Sequence, residues 1–356
     1  MPKEQTGRGL LGKYFPMIRT REEIEREIQE NRRLSEIYEE WNEQQKKVFL
    51  DCCTGVRGVK VLYDSFFKEI MNPEYTPQRL EELLSLVLGQ RVKVVQVLPP
   101  DSARIADENS LLIMDIVVEL SDGSIANVEV QKIGYRFPGE RCACYSADLL
   151  LRQYRRVREE SQKRFSYRNI KNVYTIILFE KSPKAFHEFE NVFIHHFEQA
   201  TDTGLKINLL QEYNFIALDI FRKNIYNKGI QNELEAWLTF LSVDDPEMIV
   251  ELLKRYPRFQ PMYEEIYEMC RSTERVMGMF SKELKELDDN TVEFMIDELQ
   301  EMVDKERARA EEEKGRADRA EARTNEAEQE KRQALEKVKE IQQKYEELLQ
   351  QQNKTQ

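Results

Sequence analysis

Residues 111–133, LLIMDIVVELSDGSIANVEVQKI, decide the fold of this chain. They predict a β-hairpin: an apolar run over 111–120, a turn at Ser121-Asp122-Gly123-Ser124, and a second strand over 125–133. Both strands carry acids where the pattern calls for Val or Ile. Asp115 interrupts the first run and Glu129 alternates with Val128 and Val130 in the second. A buried carboxylate costs desolvation unless positive charge lies beside it. A short turn separates Asp115 from Glu129, which sets them close on neighbouring strands, and the strand period of two puts Gln131 on the face of Glu129. Such a pair of oxygen donors suits a hard divalent cation at a phosphodiester, with the Val130 carbonyl as a further ligand. From these residues alone, a structural hydrogen-bonding role for the two acids is the alternative.

Upstream, RVKVVQVL at 91–98 predicts another strand, closed by Pro99-Pro100. Before it, Thr76 as N-cap and Pro77 open a helix through Leu80, Leu83, Leu84, Val87 and Leu88 that stops at Gly89 and carries Glu81 and Glu82. VKVLYDSFFKEIM predicts a helix ending near Asn72-Pro73, and residues 21–49 predict an amphipathic helix through Ile24, Ile28, Leu34, Ile37, Tyr38 and Trp41.

Downstream, 140–160 predicts a helix with one apolar and one basic face, and NVYTIILF at 172–179 has the continuous apolar character of a central or parallel strand. YNFIALDIF at 213–221 predicts a last strand, and the His195-His196 pair is placed on a helix as a surface or packing feature. The pattern is helical from Glu233 onward. In the tail, Ala320, Ala327 and Ala334 recur every seven residues and are continued by Val338, Ile341, Tyr345 and Leu348. Thr324 and Lys331 weaken that seam, so the expectation is a partner-dependent coiled coil joining copies of the chain, with a solitary charged helix as the alternative. The predicted organisation is an N-terminal helical segment (1–54), an α/β domain with a mixed sheet (55–230), an acidic helical region (231–300) and a coiled-coil tail (301–356).

The chain's 356 residues and 40% apolar content support a full-sized core. No run approaches a membrane span and no apolar leader of signal-peptide length opens the chain, so a cytoplasmic protein is expected. Five cysteines make no disulfide framework, and three histidines in one stretch favour a metal held on carboxylates over one held on imidazoles. The formal charge of −12 is unevenly spread. Residues 131–184 hold 13 Lys and Arg against 5 Asp and Glu, whereas 231–300 hold 7 against 17. A basic segment directly after the hairpin fits a phosphate-binding face, and solvated helix surface is the competing explanation.

The pair Met114-Asp115 followed by Glu129-Val130-Gln131 resembles the PD-(D/E)XK nuclease pattern in the form of the Rpn family, the recombination-promoting nucleases related to transposases. FPGERCACYSADLLLRQY resembles that family's Arg-x-x-x-Tyr helix, with Arg141 and Tyr145 on the matching positions, and NVYTIILFEKS resembles its next strand. The likeness runs over about residues 58–300, and a coiled-coil tail is typical of the family. It implies a restriction-endonuclease-like core, Asp115 and Glu129 as metal ligands, and Gln131 where the wider superfamily has a catalytic Lys. Gln can orient water but cannot carry charge. Lys132 points to the opposite strand face. The superfamily's helix carboxylate corresponds to Glu81 or Glu82, with Glu81 preferred.

The resulting expectation is a Mg²⁺-dependent DNA endonuclease of low sequence specificity, with Mn²⁺ as an alternative metal, that promotes recombination or mobile-element transposition. Arg141 and Gln153 would face the scissile phosphate, and Arg152, Arg155, Arg156 and Arg158 the flanking backbone. The alternative is a nuclease fold retained for DNA or partner binding without cleavage.

Overall fold

The computed structural model describes residues 8–99, 115–132, 139–161 and 164–283, with scattered residues of the stretch 303–344. The hairpin is present. Strand β2 (Ile116–Leu120) pairs antiparallel with β3 (Ile125–Gln131), Ile116 lying opposite Val128 and Glu119 opposite Ile125. The turn is closed by Asp122, whose carboxylate accepts the Ser124 N–H at 3.0 Å and the Ser124 hydroxyl at 2.8 Å, while Gly123 takes the left-handed φ of 87°. The expected strand residues 111–114 and Ile133 lie outside the described residues.

Strand β1 (Val94–Leu98) lies antiparallel on the outer side of β2. On the other side β3 pairs parallel with β4 (Val173–Phe179), and β4 pairs parallel with β6 (Gln211–Ala217). All seven β4 residues are buried, as befits a parallel strand covered on both faces. The edge strand β5 (Ile194–Phe197) runs antiparallel to β6 and completes a mixed six-stranded sheet ordered β1-β2-β3-β4-β6-β5.

Two local expectations are corrected here. His195 and His196 stand in β5, not on a helix, because Phe193, Ile194 and Phe197 supply β-forming side chains beside an open edge of β6. The run 213–221 is strand only to Ala217; α7 (Leu218–Lys228) starts there, with Asp219 in its first turn.

Residues 21–49 form three helices in place of one: α1 (Arg21–Glu30), α2 (Arg32–Glu40) and α3 (Glu43–Cys53). Asn31 and Asn42 break them, Asn31 accepting the Arg33 and Leu34 N–H groups and Asn42 the Gln45 N–H of the helix that follows. Helices α4 (Asp64–Ile70) and α5 (Pro77–Leu88) precede the sheet, and Gly89 ends α5 at φ 64°.

One sheet face, bearing Val118, Val128, Ile176, Leu178 and Ile216, packs into a large apolar cluster with α1 to α5, α7, α8 (Glu233–Ser242), α9 (Pro246–Arg255), α10 (Gln260–Met269) and the helical residues 273–283. The other face, bearing Val117, Ile125, Val173, Ile177 and Phe179, is covered by Cys142, Tyr145 and Leu149 of α6 (Gly139–Ser161). The crossover from β3 through α6 to β4 is the long connection that a parallel pair requires.

The described residues of 1–54 and of 231–283 contribute to the same apolar cluster. Phe280 meets Phe49 at 5.5 Å and Phe66 at 6.3 Å between ring centroids, joining both segments to one core. Among the described residues of this acidic stretch, Glu233, Glu247, Glu264, Glu265, Glu268 and Glu274 are exposed while the apolar side of the helices carries the fold, and Glu283 is buried. The chain divides into compact units at 1–286 and 287–356. In the second unit the described residues are helical, with Val303, Leu335, Val338 and Ile341 exposed. Ala320, Thr324, Ala327, Tyr345 and Leu348 lie outside the described residues, so the coiled coil rests on its heptad spacing alone. No helix among the described residues is long and apolar enough to cross a membrane.

Candidate active site

Antiparallel pairing makes β2 begin where β3 ends, so Asp115 and the Glu129-Val130-Gln131 triplet share one edge of the sheet. Because β4 and β6 run parallel to β3, this is also their carboxyl-terminal edge, where open α/β sheets place their ligand crevices. The two acids interlock. The Asp115 N–H donates to Glu129 Oε1 at 3.1 Å, and the Val130 N–H donates to Asp115 Oδ2 at 2.8 Å. In a strand the N–H and C=O of one residue point the same way, so the Val130 carbonyl also faces the β2 side.

Glu129 is 2% exposed. Burial and then the Asp115 charge push its carboxyl up to about 8, with Arg141 opposing. Burial likewise raises Asp115, against the Val130 N–H and Lys68. Two carboxylates held this close, both reluctant to ionise, form a site that favours added positive charge.

Part of that charge comes from α4. Lys68 Nζ lies 2.8 Å from Asp64 Oδ1 and 3.3 Å from Asp115 Oδ1, bridging the helix to the hairpin. Sequence reading missed both residues. The available signal was their i, i+4 acid–base spacing at the start of a short helix, Asp-x-x-x-Lys in DSFFKEI.

A second contact holds the amino end of α4. Glu283, 1% exposed, accepts the Asp64 N–H at 2.6 Å through Oε1, and its Oε2 pairs with the ammonium of Lys132. Lys132 thus lies on the sheet face opposite Glu129, as the strand period predicts. Beside it, Lys60 pairs with Glu180 at 2.8 Å, and the Glu180 N–H donates to the Gln131 carbonyl at 2.8 Å. Burial pushes Glu180 up, but Lys60, Arg222 and Lys132 outweigh it and hold the carboxyl below its ordinary value. Gln131 itself is half-buried.

Helix α6 begins at the same edge. Arg141 is exposed and donates through Nε and Nη2 to the Tyr145 hydroxyl at 2.8 and 2.6 Å, while Tyr145 is buried under the helix. Asp115, Glu129, Val130, Gln131, Arg141 and Tyr145 are therefore placed at one edge.

Other expected residues are not. Glu81 accepts the Val94 N–H at 2.9 Å, and Val94 lies opposite Leu120. That is the far end of β2, about 16 Å from Asp115 at the strand rise. Glu82 is ion-paired with Arg258. Gln153 is 1% exposed, donates to the Gly123 carbonyl at 3.0 Å and accepts the Lys171 N–H at 2.6 Å, tying the hairpin turn to the segment before β4. It follows Tyr145 and Leu149 at steps of four on the buried stripe of α6, so it turns away from any phosphate. Arg152 is held by Asp148 and the Pro99 carbonyl, both at 2.7 Å, and Arg156 by Glu119. Arg155 and Arg158 are exposed, Arg158 donating to the Tyr154 hydroxyl at 2.7 Å.

The donors present fit a hard divalent ion. Among the described residues no three acidic, His or Cys side chains converge as a complete ligand set. Mg²⁺ does not need one, since it commonly uses one or two carboxylates and leaves its other positions to water and substrate oxygens.

Neither the curated proteins nor the solved structures give a match to this chain. A family model described as PD-(D/E)XK nuclease family transposase matches residues 61–296, which contain the sheet, the interlocked acids, Lys68 and Glu283. Since that match covers more than half of the sequence, the chain belongs to the PD-(D/E)XK nuclease family transposases.

Proposed function

We propose that this protein is a metal-dependent DNA endonuclease of low sequence specificity, whose cuts promote recombination or movement of a mobile element. The observation that carries the proposal is the buried Asp115–Glu129 pair, interlocked through backbone N–H groups at the crevice edge of the sheet. A structural role alone would leave Glu129 held at about 8 in a nearly closed environment.

Asp115, Glu129 and the Val130 carbonyl would hold Mg²⁺ or Mn²⁺. Such an ion polarises the phosphodiester and makes an attacking water more acidic. The chain's own residues do the rest. Gln131, on the face of Glu129, orients water through its amide but moves no proton. Lys68 supplies the fixed positive charge that Gln131 lacks, close to where negative charge grows on the phosphate. Arg141, exposed and braced by Tyr145, brings a guanidinium charge to the same edge for a phosphate oxygen. Arg155 offers sequence-independent backbone contact.

The Gln at position 131 also fits a fold kept for DNA binding without cleavage, whereas the Lys68 contact favours an active enzyme. Supercoiled plasmids of unrelated sequence, incubated with the protein in Mg²⁺, Mn²⁺ or EDTA, separate the two. Metal-dependent nicked circles with no discrete fragments are expected. Intact supercoils under all three conditions, despite measurable DNA binding, would leave the silent fold.

A further inference from the structure

A second surface lies at the other end of α6. Tyr154, Phe165 and Tyr167 form an aromatic trio that belongs to neither apolar cluster of the core. Tyr154 and Tyr167 stack at 6.0 Å with an interplanar angle of 13°, and Phe165 meets them edge-on at 5.5 and 5.1 Å. Tyr167 is 72% exposed. Its position is set by a short helical turn over Tyr167–Asn169, capped by the Ser166 hydroxyl. An ordered ring left this open gains little from burial in the fold.

Basic residues flank the trio along the chain. Arg158 donates to the Tyr154 hydroxyl at 2.7 Å with its guanidinium 5.8 Å from the ring centroid, and Arg155, Arg164 and Arg168 are exposed alongside. Over residues 154–171 there are seven Lys and Arg against two acids, Glu159 and Glu160. We infer that Tyr154, Phe165 and Tyr167, with Arg158, Arg164 and Arg168, form a platform that binds the unpaired bases of single-stranded nucleic acid.

The chemistry selects single strands. An exposed tyrosine face stacks on any base without reading it, and guanidinium groups take the adjoining phosphates. A duplex hides its base faces in its own stack and offers this surface only phosphates. The platform is also separate from the acid pair: Arg141 and Arg158 are seventeen residues apart on one helix, about 26 Å along its axis. Its binding does not depend on the proposed cleavage chemistry.

The test measures binding without turnover. Fluorescence anisotropy in EDTA compares a labelled oligothymidylate of about 15 nucleotides, long enough for one such site, with a duplex of equal length. Expected are tighter binding of the oligonucleotide, a loss of about tenfold on Tyr167→Ala, and near-normal binding by Tyr167→Phe. Duplex affinity should stay within about twofold, because stacking makes no contribution there. The double variant Arg158→Ala/Arg168→Ala should flatten the salt dependence of oligonucleotide binding by about one to two units of slope. Unchanged oligonucleotide affinity in Tyr167→Ala would overturn the inference, as would equal losses on oligonucleotide and duplex. Tyr167 is exposed, so its variants keep the fold, which circular dichroism verifies. Because no step requires cleavage, a failed platform and a failed nuclease give different results.

Discussion

Lys68 Nζ stands 3.3 Å from Asp115 Oδ1 and joins α4 to the hairpin that carries the second acid, Glu129. If Lys68 supplies the charge that the strand's Gln131 cannot, Lys68→Met should fold normally and lose roughly 100-fold in nicking rate, the usual effect of removing one oriented charge or donor from a reacting centre. Lys68→Arg should keep part of the activity. Gln131→Lys in the Lys68→Met background should restore some of the loss. Full activity in Lys68→Met would assign the lysine to helix anchoring alone.

The Lys132–Glu283 pair is buried, and Glu283 also accepts the Asp64 N–H. Removing one partner strands a charge in the core. Urea unfolding of Glu283→Leu should show a loss of about 3–5 kcal/mol, and Lys132→Met/Glu283→Leu should recover most of it. If the ion pair also sets the register of α4, the double variant will be stable yet slow at nicking. A stable double variant with wild-type activity would contradict that positional role.

Glu129 gives a pH signature. Its carboxyl keeps its proton in the metal-free fold up to pH about 8, whereas in the unfolded chain it loses the proton near 4.3. Between those values the fold binds the extra proton, so this group's stabilisation is greatest at low pH and is lost as pH rises toward 8. At pH 8, metal-free Glu129→Gln should therefore be more stable than wild type, by up to a few kcal/mol. Addition of Mg²⁺ should raise the melting temperature of wild type and leave that of the variant unchanged. Equal responses to Mg²⁺ would place the ion elsewhere.

Among the α6 residues, the structure separates framework from surface. Gln153→Leu leaves the Gly123 carbonyl and the Lys171 N–H without partners, a cost of about 1–3 kcal/mol in stability. Its DNA affinity at saturating fold should match wild type. Arg155→Glu should keep its stability, bind DNA more weakly and lower the salt slope by about one or two units. The reverse pattern would return Gln153 to the phosphate contacts.

The hairpin, β4 and α6 were legible in sequence because each has a strong period and a clear boundary: Asp122-Gly123 at the turn, a β4 run that is apolar at every position but Thr175, and apolar steps of three and four in α6. Interior breaks were harder to see. The apolar spacing of 21–49 continues across Asn31 and Asn42, and only the capping bonds of these asparagines show that the helix restarts. His195 and His196 lacked any strong period, and their strand exists because β6 offers an edge. The acid pair was visible through its departure from the strand pattern. Asp64, Lys68 and Glu283 were not, because their roles arise from contacts between elements distant in sequence, whereas Glu81 drew attention as a helix acid but binds the start of β1.

The most direct test compares nicking of supercoiled plasmid in Mg²⁺ by wild type, Asp115→Ala and Glu129→Ala, each verified as folded by its urea transition. The account predicts nicked circles from wild type, a loss of at least about 1,000-fold in either variant, and DNA affinity in EDTA close to wild type for both. Equal nicking by all three proteins would contradict it.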